Sequence, residues 1–177
     1  MEEIQLGDDV IKQIKDFDPW TYLTNEQKSL INELILNKDL KARYRKYDLC
    51  KECMQPNTGG NLWKWCQSCN AKKFERNFEN WTSGNHDIDE FIKKTQLKAK
   101  NEYEVIEWIE YDKFKNIEYL AKGGSGIIYK ANWIDGYIVS WNYKNNRWKR
   151  GYQGGHVALK CLHNSPNLTA KFLREVR

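Results

Sequence analysis

Residues 120–131 read Leu120-Ala121-Lys122-Gly123-Gly124-Ser125-Gly126-Ile127-Ile128-Tyr129-Lys130-Ala131, and residues 157–160 read Val157-Ala158-Leu159-Lys160. Leu120 precedes the glycines and Ile127, Ile128 and Tyr129 follow them, all good strand formers, so the run predicts two strands joined by a tight turn. A backbone meets dense negative charge with its N–H groups only where no Cβ intervenes, the condition that Gly123 and Gly126 satisfy. A plain hairpin turn is the alternative. A Walker A loop needs Gly-Lys followed by Ser or Thr, which is absent, and a dinucleotide fold needs its glycines to open a helix.

Order adds weight to the run. The Val157-Ala158-Leu159-Lys160 segment is an apolar strand ending in a lysine; alone it would be an ordinary strand with one solvated cation. Leu168, Phe172, Glu175 and Val176 then share one face of a predicted helix start. Glu175 thereby falls on the apolar side, where a carboxylate is costly unless it is paired. A half-exposed helix carboxylate is the plainer reading.

These three motifs, in this order, resemble the opening of a protein kinase small lobe over residues 111–177: a first strand around Phe114 to Leu120, the glycine flap, the lysine strand and the start of the αC helix. The resemblance implies ATP as ligand. Gly123, Ser125 and Gly126 would cover the phosphates, Leu120 and Ile128 would bracket the adenine, and Ala158 would line its pocket. Lys160 would hold the α- and β-phosphates while pairing with Glu175. Ala121 stands where the kinase pattern begins with glycine, and Ser125 where it commonly has an aromatic. The insert Asn132 to His156 replaces a short turn, and its Trp133, Tyr137, Trp141, Tyr143, Trp148 and Tyr152 predict an extended hairpin turning at Lys144-Asn145-Asn146-Arg147. Cross-strand aromatic packing is the favoured account of these rings, with nucleic-acid stacking the other.

Kinase chemistry also needs an Asp that orients the substrate hydroxyl, and an Asn and a second Asp for magnesium, in His-Arg-Asp and Asp-Phe-Gly motifs. Neither occurs in these 177 residues. The expectation is an ATP-binding portion without phosphotransfer of its own, magnesium entering only with a complete large lobe. Lys160 and Glu175 are then an ion pair rather than a reaction centre. A regulatory remnant that docks on a full-length kinase, or a fragment of one, fits equally, with protein substrates as further partners.

Upstream, Cys50-x-x-Cys53 and Cys66-x-x-Cys69 are twelve residues apart, a spacing that lets two cysteine pairs close on one zinc. Pro56, Gly59 and Gly60 turn the intervening chain back. Reduced or disulfide-bonded structural cysteines are the alternative. Four ligands would close the shell, making the zinc structural. Cys161 is expected to be a small buried residue beside the nucleotide site. His86, His156 and His163 have no partners at ligand spacing and are read as surface, capping or structural residues.

Helices are expected around the cysteines. Thr24 and Gln27 form a capping box ahead of a Leu30, Ile31, Leu34, Ile35 stripe, and Val10, Ile11, Ile14 and Phe17 form a shorter one ending near Pro19. Phe74, Phe78 and Trp81 predict a helix that stops before Gly84; Asp87 with Glu90 starts another carrying Ile88, Phe91 and Ile92.

The fold class is therefore α+β: a helical N-terminal half with a small four-cysteine zinc module, then a partial kinase small lobe of antiparallel hairpins. The segments are 1–47 helical, 48–82 a zinc-ribbon-like module with its following helix, 83–110 a helical linker, and 111–177 the partial kinase domain. Hydrophobic residues at 40% and aromatic residues at 14% supply core material and exclude a disordered chain. The net charge is a moderate +5. Its densest basic run, Lys41-Ala42-Arg43-Tyr44-Arg45-Lys46, is read as a solvated helix face rather than a nucleic-acid contact. Nucleic acid is thus the less favoured partner, with a zinc-module nucleic-acid-binding or protein-docking scaffold as the alternative function. No apolar run is long enough to span a bilayer, so no membrane partner is expected, and an intracellular, cytoplasmic setting is. From the Leu30 helix onward the order of motifs, with Gln55-Pro56-Asn57-Thr58-Gly59 and Trp81-Thr82-Ser83-Gly84-Asn85 between them, resembles a fungal family of kinase-like proteins whose upstream segment precedes a complete kinase domain.

Overall fold

The structure is a computed structural model that describes residues 4–60, 64–124 and 126–162. It is α+β, with five α-helices and small antiparallel sheets among the described residues. The chain divides into two compact units, Met1–Phe78 with Thr95–Val105 and Glu79–Lys94 with Ile106–Arg177. The expected helical segment and cysteine module share the first. Among the described residues no helix is long and apolar enough to cross a membrane.

In the first unit, α1 (Asp8–Ile14), α2 (Asn25–Leu34) and α3 (Lys38–Tyr47) turn their apolar stripes onto one core. Leu6, Ile11, Ile14, Leu23, Ile31, Ile35, Leu40, Tyr44 and Leu49 are its buried residues, with Val10, Phe17, Leu34 and Met54 packed against them. Each fully buried aliphatic side chain contributes about 1.5–3 kcal/mol, which holds helices too short to be stable alone. The capping box forms as the sequence predicts: the Thr24 hydroxyl accepts from Gln27 N at 3.2 Å, and Gln27 Oε1 accepts from Thr24 N at 2.9 Å. Asn37 caps α3 by accepting from Leu40 N at 2.9 Å.

The helix after the cysteines is shorter than expected. It is α4 (Gln67–Glu75), and Phe78 lies instead on a separate 3-10 turn, Phe78–Asn80. The ladder tightens at its end, where Asn77 N donates to Phe74 O, three residues back, at 2.8 Å. Helix α5 (His86–Lys98) follows. Its first N–H groups are met by Asn85, whose Oδ1 accepts from Asp87 N at 2.9 Å and Ile88 N at 3.3 Å, so Asn85 and not Asp87 does the capping.

The second unit holds a three-stranded antiparallel sheet of β1 (Phe114–Gly123), β2 (Gly126–Trp133) and β5 (Gly155–Leu162), in the order β1-β2-β5. Strand β1 is irregular between Lys115 and Glu118 and again between Tyr119 and Ala121, which sets Leu120 out of register. The insert forms the expected hairpin, β3 (Tyr137–Asn142) against β4 (Arg147–Gly151). Gly136 opens it at φ +67°, and a Cβ there would run into the Gly151 carbonyl. Arg150 anchors the hairpin: Nη2 lies 2.5 Å from Glu107 Oε2, and Nη1 donates to the Gly136 carbonyl at 2.7 Å. Burial pushes the Glu107 carboxyl above its usual range despite that partner.

Candidate functional site

The chain leaving α3 turns at once into the first cysteine pair. Leu49 bridges Pro56 in antiparallel fashion, Cys50 N donates to Gln55 O at 2.8 Å and Met54 N to Cys50 O at 2.9 Å, which curls the intervening residues into a knuckle. Met54 sits at φ +56°, the left-handed turn that brings the chain back under Cys53. Glu52 N points at Cys50 Sγ from 3.4 Å. A second bridge, Gly59 to Trp65, then feeds α4, with Cys66 as its N-cap residue and Cys69 in its first turn. The second pair is therefore presented by a helix N-terminus, not by a second hairpin knuckle as in a ribbon.

The four sulfurs converge, all within 4.8 Å of one another. Cys50 Sγ lies 3.8 Å from Cys69 Sγ, and Cys53 Sγ lies 3.6 Å from Cys66 Sγ. A tetrahedral metal with metal–sulfur bonds of about 2.3 Å has edges of about 3.8 Å, so the spacing suits a zinc ion. Cys50, Cys66 and Cys69 are buried and Cys53 is half-buried. Charge separates within the cluster. Hydrogen bonds from the Cys53 thiol, then the Cys66 thiol, hold Cys50 down at about 2. Cys66 is pushed up, first by its bond to Cys50, and Cys69 is pushed up to about 12, chiefly by burial and then by the Cys50 charge. Without a cation the cluster favours a thiolate at Cys50 over one at Cys66 or Cys69. Four thiolates fill a tetrahedral shell and leave no position for water, the arrangement of a structural metal.

The shell around the sulfurs is built from side chains whose roles the sequence did not announce. Lys73, buried on α4, pairs with Glu52 between the first two cysteines, tying helix to knuckle. Arg43 Nη2 donates to the Pro56 carbonyl at 2.6 Å and its Nε to the Asn57 carbonyl at 3.2 Å. Asn57, 1% exposed, donates from Nδ2 to Tyr47 O at 3.0 Å and Asp48 O at 3.2 Å. Trp65 is fully buried, and its indole N–H donates to Ala99 O at 2.8 Å. Adjacency of Asn57 to Pro56 and of Trp65 to Cys66 was the only available signal for the last two.

The basic run on α3 is largely committed within the unit. Besides Arg43, Lys41 Nζ donates to Asn32 O at 3.1 Å and Arg45 Nη2 to Asn32 Oδ1 at 2.9 Å. Tyr44 is fully buried and its hydroxyl donates to Ile14 O at 3.0 Å; burial raises its phenol well above the ordinary range.

In the second unit the register brings part of the expected nucleotide set together. Ile128 pairs with Lys160 and Lys130 with Ala158, so Ile128, Ala158 and Lys160 lie on one face of the sheet. Gly126 pairs with Gly123 at the end of the hairpin, and a Cβ on Gly126 would collide with the Cys161 carbonyl. Leu120 is 60% exposed at the irregularity in β1. Tyr119 and Tyr129 meet edge to face at 6.4 Å, one residue out of phase and hence on the opposite face. Ser125, Glu175, His163 and the predicted helix around them lie outside the described residues. Cys161 is exposed, which corrects its expected burial: it pairs with Ile127 on the face away from Lys160. His86 and His156 are exposed, His86 at 3.7 Å from Asp87.

No protein-family model, curated protein or solved structure matches the chain.

Proposed function

We propose that this chain joins a zinc-organised helical module to the nucleotide-facing front of a protein-kinase-like lobe, and that its activity is ATP binding rather than phosphotransfer. The observation that carries the reading is the register of β2 and β5, which gives Lys160 a common face with Ile128 and Ala158 at the end of the sheet that Gly126 closes. A cation and two apolar side chains on one face suit a ligand with a flat heterocycle and a phosphate tail. Zinc at Cys50, Cys53, Cys66 and Cys69 supports the module rather than the chemistry. Thiolates kept for a metal need a reducing compartment, the intracellular, cytoplasmic setting that belongs to this reading.

Phosphoryl transfer is mostly positioning and charge neutralisation, and these 177 residues hold neither a His-Arg-Asp nor an Asp-Phe-Gly motif, so ATP recognition is the role proposed for them. Protein substrates and docking on a full-length kinase are the partners this assignment implies. The alternative, nucleic-acid binding by the zinc module, is weakened by the commitment of Arg43, Lys41 and Arg45 to neighbouring backbone and side-chain oxygens.

Thermal melts with and without millimolar ATP test the proposal. A ligand at about one hundred times its Kd stabilises by about 2.7 kcal/mol, a shift of several degrees. The account expects that shift in the native chain and its loss in Lys160→Ala; no shift in the native chain, or an equal shift in the variant, overturns it.

A further inference from the structure

From Gly136 to Leu162 the sequence contains no aspartate or glutamate, yet it carries Lys144, Arg147, Lys149, Arg150 and Lys160. The β3–β4 hairpin accounts for most of that imbalance, and its register sorts the side chains onto two faces. One face pairs Ile138 with Arg150 and Trp141 with Trp148. There Ile138 is buried, Arg150 is bound to Glu107, and the two indoles meet edge to face at 5.0 Å. Cross-strand packing explains this face completely.

The other face pairs Ser140 with Lys149, Asn142 with Arg147, and Tyr137 with Gly151. Arg147 and Lys149 are exposed on it, and Lys144 is exposed in the turn beside them. Among the described residues the side chains of Lys144 and Arg147 form no hydrogen bond or ion pair, whereas Lys149 has an interaction partner. Three tyrosines on or next to the hairpin are exposed. Tyr137 is 41% exposed, Tyr143 in the turn 53% and Tyr152 just past β4 64%. Over Gly151 lie the buried Val139, with Cγ1 3.0 Å from a Cβ built there, and the Tyr137 ring, with Cζ at 3.4 Å, so the open part of the face is Arg147, Lys149 and the turn.

We propose that this face of the β3–β4 hairpin binds single-stranded nucleic acid. Arg147 and, in the turn before it, Lys144 present two cations, and Lys149 lies one alternate residue, about 6.8 Å, further along β4, a row of positive charge that a backbone-tracking groove uses. Tyr137, exposed on the same face, offers a flat surface on which an unpaired base stacks, a contact that neither a duplex nor an acidic peptide can use.

Fluorescence anisotropy of labelled twelve-nucleotide oligo(dT) and oligo(U), titrated with the full chain, tests the proposal. Binding is expected with log K falling against log salt at a slope of about −1.4 to −2.1, for two or three phosphate contacts at about −0.7 each. R147E combined with K149E should abolish it. Tyr137→Leu should weaken it about tenfold with the slope unchanged, because stacking is lost and charge is not. Near-UV circular dichroism from the Trp141–Trp148 pair reports that both variants keep the hairpin folded. Three results overturn the proposal: no binding at low salt, equal binding by the charge-reversed variant, or equal affinity for polyglutamate or anionic vesicles with indifference to Tyr137→Leu.

Discussion

Arg43 Nη2 donates to the carbonyl of Pro56 across 2.6 Å, so a cation from the most basic stretch of the chain serves as a strut beneath the first cysteine knuckle. The same guanidinium reaches Asn57 O, and the two carbonyls it satisfies belong to the turn that closes the loop after Cys53. Charged donors on partly buried carbonyls contribute about 1.5–3 kcal/mol. Arg43→Ala should therefore lower the urea midpoint and accelerate metal loss to a chelator, whereas Arg45→Ala, at an exposed position, should change neither by much. Equal, small effects of both substitutions would remove the strut from the account.

Tyr44→Phe deletes one oxygen from a fully buried site and removes one of the two donors to the Ile14 carbonyl, which keeps Phe17 N at 3.1 Å. The expected cost is about 1–2 kcal/mol, read as a lower urea midpoint at an unchanged slope. A neutral substitution would mean that the Phe17 N–H alone satisfies Ile14 O.

The two flap glycines should behave differently. A Cβ on Gly126 meets the Cys161 carbonyl, while a Cβ on Gly123 has only Gly126 O within 4 Å, at 3.9 Å. Gly126→Ala is expected to disrupt β2–β5 pairing and lower stability with or without ATP. Gly123→Ala should leave the melt of the free chain unchanged and reduce only the ATP-dependent shift. If both variants melt like the native chain, Gly126 is not sterically required.

Asp89 accepts from Ser83 N at 2.8 Å, Ser83 Oγ at 2.5 Å and Thr82 Oγ1 at 2.6 Å, and these bonds, the Ser83 and Thr82 hydroxyls foremost, hold its carboxyl below the usual range. A depressed folded value stabilises the fold above the unfolded value of about 3.9 and is lost as pH falls through the folded one. The native chain should exceed Asp89→Asn in stability at pH 7, and the gap should close in acid. Comparing the two at each pH cancels acid effects on the cysteines. A gap that persists at pH 2 would contradict the assignment.

Much of the metal site and of the hairpins was legible because short-range spacing dictated it. Cys-x-x-Cys places two sulfurs on one side of a turn or a helix start, Thr24 and Gln27 reach each other over one turn, and alternation from Tyr137 to Tyr143 fixes a strand. What escaped reading depended on contacts distant in sequence. Nothing local marks Arg43 as a partner of Pro56, or Lys73 as a partner of Glu52. The helical period through Phe74, Phe78 and Trp81 overran its true end because side-chain spacing does not report where the backbone ladder tightens to the 3-10 form at Asn77. Cys161 was misassigned because burial on β5 depends on what covers each face of the sheet.

The first unit is organised around the convergence of Cys50, Cys53, Cys66 and Cys69, where a metal would bind. Elemental analysis of the purified full chain by inductively coupled plasma mass spectrometry tests that directly. One zinc per chain is predicted, falling to none in Cys53→Ser with Cys66→Ser, alongside loss of the helical signal that the first unit supplies. A native chain that carries no metal, keeps its helices and titrates with a single free thiol would contradict it, because its four converging cysteines would then be joined as disulfides.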